Sequence, residues 1–142
     1  MAKKPDLPAV FKTLPIFSRC TDDELRRIDR LADEVHVPAG RAMVRQGDLG
    51  REFALIVEGE AVVERDGVEV ARLGPGAHFG ELALLESIPR NASVIAATDM
   101  TVQVIDRRGF DTLLEDSPGL TRNLLRALAH RLSTIDEGLA ES

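Results

Sequence analysis

Two periods of hydrophobicity divide the chain. Leu25, Ile28, Leu31, Ala32 and Val35 recur at three- and four-residue steps, the repeat of one helix face. Thr21-Asp22-Asp23-Glu24 precedes them. This is a capping-box pattern, in which the Thr21 hydroxyl accepts from the Glu24 amide and the Glu24 carboxylate reaches back. An amphipathic helix of about three turns is predicted. Residues 8–17, upstream, lack a long period and read as a short helical turn and loop. From Glu34 the repeat shortens to two. Segments 35–37, 42–45, 53–57 and 59–65 then read as strands between turns. Asp66-Gly67 stands between 60–65 and 68–73, a hairpin signal because that turn needs positive φ. Segments 93–97 and 101–105, separated by Thr98-Asp99-Met100, read as a second strand pair.

Helical spacing returns near the end. Phe110, Leu113 and Leu114 form a short amphipathic turn closed by Asp116-Ser117-Pro118. Pro118 suits the first position of another helix, with Ser117 as its cap. Leu120, Leu124, Leu128, Leu132, Ile135 and Leu139 then give one apolar stripe, widened by Leu125. Eight of the 11 glycines lie from Gly40 to Gly80, a density that suits short strands and tight turns. The expected fold is mainly β with flanking helices. About eight strands form an antiparallel β-roll, a jelly-roll-like barrel, between N-terminal helices and two C-terminal helices.

Composition narrows the class. A chain of 142 residues, 44% hydrophobic and 30% charged, has the size and balance of one core-forming domain. No apolar run approaches the roughly 20 residues of a membrane helix, and no secretory signal follows Met1-Ala2-Lys3-Lys4-Pro5. With 18 Lys and Arg against 24 Asp and Glu, the net charge is −6, which gives no global attraction for nucleic acid. Cys20 stands alone, excluding an internal disulfide and a thiolate metal cage; it precedes the helix cap and reads as an inert thiol. His36, His78 and His130 form no His-x-His pair, so no metal site is expected. A cytoplasmic domain is the expectation.

The segment with candidate chemistry is Phe79-Gly80-Glu81-Leu82-Ala83-Leu84-Leu85-Glu86-Ser87-Ile88-Pro89-Arg90-Asn91-Ala92-Ser93-Val94. Gly74-Pro75-Gly76 turns the chain before it, and 81–85 has helix-forming composition for about one turn. A short helix after a glycine offers free amides to an anion. Pro89 ends the helix and leads to Arg90, whose planar donor fork matches phosphate oxygens. Such an excursion would present a phosphate to Arg90 and a hydroxyl to Glu81, as a phosphorylated sugar requires. The same two residues also describe a surface ion pair of little energetic weight. Spacing alone does not decide between them.

Segments 79–84 and 89–94 resemble the phosphate-binding cassette of the cyclic nucleotide-binding domain family, which includes protein kinase A regulatory subunits, ligand domains of gated channels and the catabolite activator protein. Gly40, Gly47, Gly59, Gly74 and Gly76 fall where that family places turns. Ile105-Asp106-Arg107, leading to Phe110 and Leu113-Leu114, resembles the entry to its first C-terminal helix. The resemblance implies one domain over 1–142: an N-terminal helical segment (1–33), a β-roll (34–106) holding the cassette (79–94), and C-terminal lid or hinge helices (107–142). Glu81 would accept from the ribose 2′-hydroxyl and Arg90 would pair with the cyclic phosphate. Gly80, Leu82, Ala83 and Ala92 would bring backbone amides to ribose or phosphate. Ser93 reads first as an ordinary strand hydroxyl. Asn91 carries both donor and acceptor and leaves the base open; cAMP is favoured over cGMP on family frequency alone. Arg126 or His130, on the basic face of the last helix, would meet the base if that helix acts as a lid.

The implied function is a sensor rather than an enzyme, since no nucleophile–base pair accompanies the cassette. Ligand capture is expected to move Leu82, Leu84 and Leu85 against Phe110, Leu113 and the leucine stripe, shifting the last helix. No kinase-like, channel-like or helix-turn-helix segment follows Leu139, so direct nucleic-acid binding is not expected. The effector would be a separate protein or part of a longer chain, as in a transcription factor. The leucine stripe serves dimerisation or, more economically, packing on the barrel. A domain that has lost its ligand and acts only through interaction or dimerisation is the competing reading.

Overall fold

The computed structural model describes residues 6–141, with side chains as far as Ile135. The chain folds into two compact units, residues 31–111 and residues 6–30 with 112–141.

The first unit is the β-roll. Its strands are β1 (Asp33–Val37), β2 (Ala42–Val44), β3 (Glu52–Glu58), β4 (Ala61–Arg65), β5 (Val68–Leu73), β6 (His78–Phe79), β7 (Ser93–Ala96) and β8 (Met100–Asp106). They make two four-stranded antiparallel sheets, ordered β1-β8-β3-β6 and β2-β7-β4-β5. Between the sheets lies a core of Val37, Ile56, Ala61, Val94, Ala96, Met100 and Val102. Strand β3 is buried at all five positions from Phe53 to Val57. Both its faces are covered, so it reads as a continuous apolar run rather than an alternation. The β4–β5 hairpin turns at Asp66 (φ 55°) and Gly67 (φ 79°), with Arg65 opposite Val68. That is the primed turn demanded by its two-residue loop.

Two expectations about the strands change. The segments read as a second strand pair are both strands, but β7 and β8 belong to different sheets: β7 joins β2 and β4, and β8 joins β1 and β3. The chain crosses between sheets at Thr98-Asp99, where the Glu60 amide donates to Thr98 Oγ1 and the Ala39 amide to Asp99 Oδ1. Those distant partners outweigh local hairpin closure. Strand β6, only two residues long, carries no detectable period, and its pairing of Ala54 with Phe79 and Leu55 with His78 is a tertiary event.

The second unit holds α1 (Leu7–Thr13), a 3-10 turn (Pro15–Phe17), α2 (Asp22–Asp29) and α4 (Pro118–Glu141); α3 (Arg107–Asp116) begins in the first unit and ends in the second. Phe11 and Phe17 meet edge to face at 4.6 Å, and Leu7, Leu25, Ile28, Leu120 and Leu124 are buried. The capping box is formed: the Glu24 amide donates to Thr21 Oγ1 (3.1 Å) and the Thr21 amide to Glu24 Oε1 (2.9 Å). Glu24 Oε1 also accepts from Asn123 Nδ2 at 2.8 Å, so the box ties α2 to α4. Helix α2 is shorter than its apolar repeat suggests, because Leu31 and Ala32 lie beyond its cap at Arg30 and Val35 lies in β1. Removing the cap hydroxyl with Thr21→Ala is expected to lower stability by about 1 kcal/mol. Urea unfolding measures this, and an unchanged midpoint would show that the Glu24–Asn123 bond alone orders the helix start.

Pro118 opens α4 as its position requires. The Ser117 carbonyl accepts from the Thr121 amide, and its hydroxyl accepts from Arg27 Nη1 at 3.2 Å. The leucine stripe divides. Leu120, Leu124 and Ala127 are buried, but Leu125 (62%), Leu132 (63%) and Ile135 (51%) are exposed. Packing therefore accounts only for the stripe's first half, and Leu139 lies outside the residues with described side chains. Among the described residues, no helix is long and apolar enough to cross a membrane.

Candidate functional site

The cassette is built as an excursion from the β-roll between β6 and β7. Gly80 ends β6 in the left-handed region (φ 89°), and a 3-10 turn follows over Glu81–Leu84. Ala83 and Leu84 are buried, whereas Leu82 is 51% exposed. The Ala83 amide donates to Gly80 O, and the Leu85 and Glu86 amides both donate to Leu82 O. The chain then runs through Ile88 and Pro89 beside the 47–52 segment. There Gly47 donates to Arg90 O (2.8 Å), Gly50 to Ile88 O (3.1 Å) and Arg90 to Asp48 O (2.8 Å), while Leu49 bridges Pro89.

This ladder carries Arg90 to the place where its side chain is held. Its Nη2 donates to the Glu52 carbonyl at 2.8 Å. The guanidinium runs between two glycines: a Cβ on Gly50 would lie 2.6 Å from Nε, and one on Gly80 would lie 2.7 Å from Nη1 and overlap Glu52 O. Only residues without side chains permit that path. Arg90 Nε is buried and has no hydrogen-bond partner among the described residues. Burial lowers the Arg90 pKa from its usual value, with the Glu52 carboxylate opposing the shift. A guanidinium stays cationic through such a change. A half-buried cation with a buried, unpartnered donor atom carries a desolvation cost and is suited to an anion.

Glu81, Gly80, Leu82, Ala83, Arg90 and Asn91 line one cavity of about 530 Å³, together with His78, Phe79, Ile88 and Pro89. No ion pair joins Glu81 to Arg90 among the described residues. The surface-pair alternative therefore has no geometric counterpart. Ala92 is buried beneath the cassette's end. Asn91 is exposed, and its carbonyl accepts from Arg65 Nε at 3.2 Å. The Ser93 hydroxyl accepts the Gln46 amide at 2.8 Å, a strand role as its position suggests. Arg126 and His130 belong to the other unit. Both are exposed on α4, and His130 lines a separate groove with Pro15, Ser18, Ala127 and Ile135. Cys20 is buried, and burial raises its thiol to about 11, keeping it protonated and unreactive at neutral pH.

Several organising residues carry no sequence signal of their own. Gly50 and Glu52 shape the Arg90 slot from a segment about 40 positions earlier, an offset that no local pattern encodes. His78 stacks on Phe53 at 5.9 Å, with its buried Nδ1 unpartnered among the described residues. Arg107 reads from the sequence only as a helix entry, yet its side chain reaches back to the cassette.

An antiparallel β-roll with a cassette that half-buries one arginine beside a short helical turn, on a cavity of small-molecule size, has the features of a small-ligand-binding domain. Similarity to known proteins specifies it. Residues 34–117 match the model of the cyclic nucleotide-binding domain, and the chain belongs to that family. It is 39% identical over 108 residues to a cAMP-dependent protein kinase regulatory subunit from Aspergillus niger, covering 75% of this chain but 26% of that protein. Thus it spans about a quarter of that curated relative. The N-terminal domain of a transcriptional regulator from Streptomyces coelicolor A3(2) superposes with a TM-score of 0.74 at 28% identity, covering 90% of this chain and 95% of that one. The Thermus thermophilus catabolite activator protein gives 0.61 at 31% identity, covering 89% and 62%.

Proposed function

We propose that this chain is a cyclic-nucleotide sensor that binds cAMP, does not transform it, and signals through its C-terminal helices. The observation that carries this reading is the Arg90 slot: a half-buried guanidinium whose Nε is buried and unpartnered among the described residues, threaded between Gly50 and Gly80 on the cavity that Glu81 also lines. A cyclic phosphate is a monoanion that needs one such fork, and its ribose 2′-hydroxyl needs one acceptor, which Glu81 supplies. The cavity volume is in the usual range for small-molecule sites. Gly80, Leu82, Ala83 and Ala92 would contribute backbone contacts, and Asn91 would stand at the base. The names of the kinase regulatory relatives favour cAMP. Arg126 and His130 would act as lid contacts if α4 closes over the base. The effector would be a protein partner, separate or fused, in a cytoplasmic setting. The ligand must bind one arrangement of the helices better than the other, and a 100-fold preference supplies about 2.7 kcal/mol of bias.

Calorimetric titration of nucleotide-free protein with cAMP, cGMP and 2′-deoxy-cAMP tests this. The expected result is micromolar or tighter cAMP binding, about −8 kcal/mol or better. Loss of the 2′-hydroxyl should weaken it by about tenfold or more, the worth of one hydrogen bond to a charged acceptor. The stronger of cAMP and cGMP identifies the base preference. A folded protein that binds none of the three at millimolar concentration would leave the interaction-domain reading in its place.

A further inference from the structure

We infer that Arg107, the first residue of α3, is a positioning residue that holds the cassette in its ligand-binding shape, an inference that rests on the cyclic-nucleotide reading. One edge of its guanidinium makes three bonds. Nε donates to Ala83 O at 3.0 Å, and Nη2 donates to Gly50 O at 3.2 Å and to Ser87 Oγ. Its own amide donates to Arg51 O at 2.8 Å.

These acceptors are the two halves of the proposed site. Ala83 shares the 3-10 turn that presents Glu81, and Ser87 lies where the cassette leaves that turn. Gly50 is the residue whose backbone lies against the Arg90 guanidinium. Arg107 therefore fixes the Glu81 turn and the Arg90 slot relative to each other from a point outside the cavity lining. The planar fork suits this task, because it satisfies converging acceptors at fixed angles as an ammonium does not. Since the same residue opens α3, any movement of the cassette must either carry the start of that helix with it or break these bonds.

The test uses Arg107→Gln, Arg107→Lys and Ser87→Ala in the full chain, with two readouts. The first is titration with cAMP and 2′-deoxy-cAMP. Arg107→Gln is expected to weaken cAMP binding about tenfold, in line with lost hydrogen bonds to a charged donor, and to shrink the 2′-deoxy penalty below about threefold because Glu81 is no longer held in place. A residue that only stabilised the fold would lower the unfolding midpoint and leave that penalty intact. Ser87→Ala should act in the same direction more weakly and add nothing to Arg107→Gln in the double variant. Full recovery of affinity by Arg107→Lys would assign the effect to charge alone and overturn the inference.

The second readout is hydrogen exchange of the Ala83, Leu85 and Glu86 amides in ligand-free protein, expected to be faster in Arg107→Gln. It stands whether or not a nucleotide binds. If the wild type binds no cyclic nucleotide, the ligand reading fails separately, and faster exchange still shows Arg107 ordering the cassette. Unchanged exchange there would overturn the inference. In a wild type that binds, unchanged affinity and an unchanged 2′-deoxy penalty would overturn it.

Discussion

Arg90→Ala is expected to weaken cAMP binding by on the order of 2–5 kcal/mol, about 30- to 5,000-fold, as when one member of a buried charge pair is removed. The ligand's phosphate would lose the fork donor on the cavity wall and face the Glu52 carbonyl and the space between Gly50 and Gly80 instead. The folded state should tolerate the change. Burial already disfavours the Arg90 cation, so removing it relieves a desolvation cost and sacrifices one hydrogen bond. The unfolding free energy of the ligand-free variant is therefore expected within about 1 kcal/mol of wild type. Titration and urea unfolding read the two quantities separately. Arg90→Lys keeps the charge without the planar fork and should recover only part of the affinity. Wild-type binding by Arg90→Ala would remove this residue from the site, and a stability loss of several kcal/mol would make it structural.

Gly80→Ala is expected to damage both stability and binding. A non-glycine residue at φ 89° costs about 1–3 kcal/mol. The added Cβ would also overlap Glu52 O and lie 2.7 Å from Arg90 Nη1. The Arg90 fork must then leave its slot, so cAMP affinity should fall at least tenfold, about 1.4 kcal/mol. Gly67→Ala supplies the control. Gly67 has a comparable φ of 79° but nothing within 4 Å of an added Cβ, and it turns the β4–β5 hairpin. Its variant should lose stability through strain alone and bind cAMP as the wild type does. Equal behaviour of the two variants in both assays would show that the slot is not shaped by Gly80.

Much of the architecture is legible before any coordinates. The Thr21–Glu24 capping box, the Asp66-Gly67 hairpin and the Pro118 helix start are all present where their residues call for them, because each is decided within four or five residues. The errors lie where distant partners compete. Strands β7 and β8 are adjacent in sequence yet sit in different sheets, since side-chain bonds from Thr98 and Asp99 to the backbone of other segments stabilise the crossing. In α4, one helical repeat covers both buried Leu120 and Leu124 and exposed Leu132 and Ile135. Periodicity reports which residues share a face, and burial depends on where the neighbouring element stops.

The candidate site divides in the same way. Glu81, Pro89 and Arg90 are close enough in sequence to form a recognisable cassette, and it is the family resemblance, rather than their residue types or spacing, that favours an anion and a hydroxyl over a surface ion pair. Residue order alone carries the family resemblance, the β-roll between helices, and the two side chains expected to face a cyclic nucleotide. Folding adds that Arg90 is half-buried, with its Nε buried and unpartnered among the described residues and its guanidinium between Gly50 and Gly80, and that Arg107 grips Ala83, Gly50 and Ser87. The physical reason is range. Capping, turn and phosphate-fork chemistry are written in neighbouring residues, whereas desolvation and cross-chain hydrogen bonds exist only once segments about 20 to 60 residues apart have been packed together.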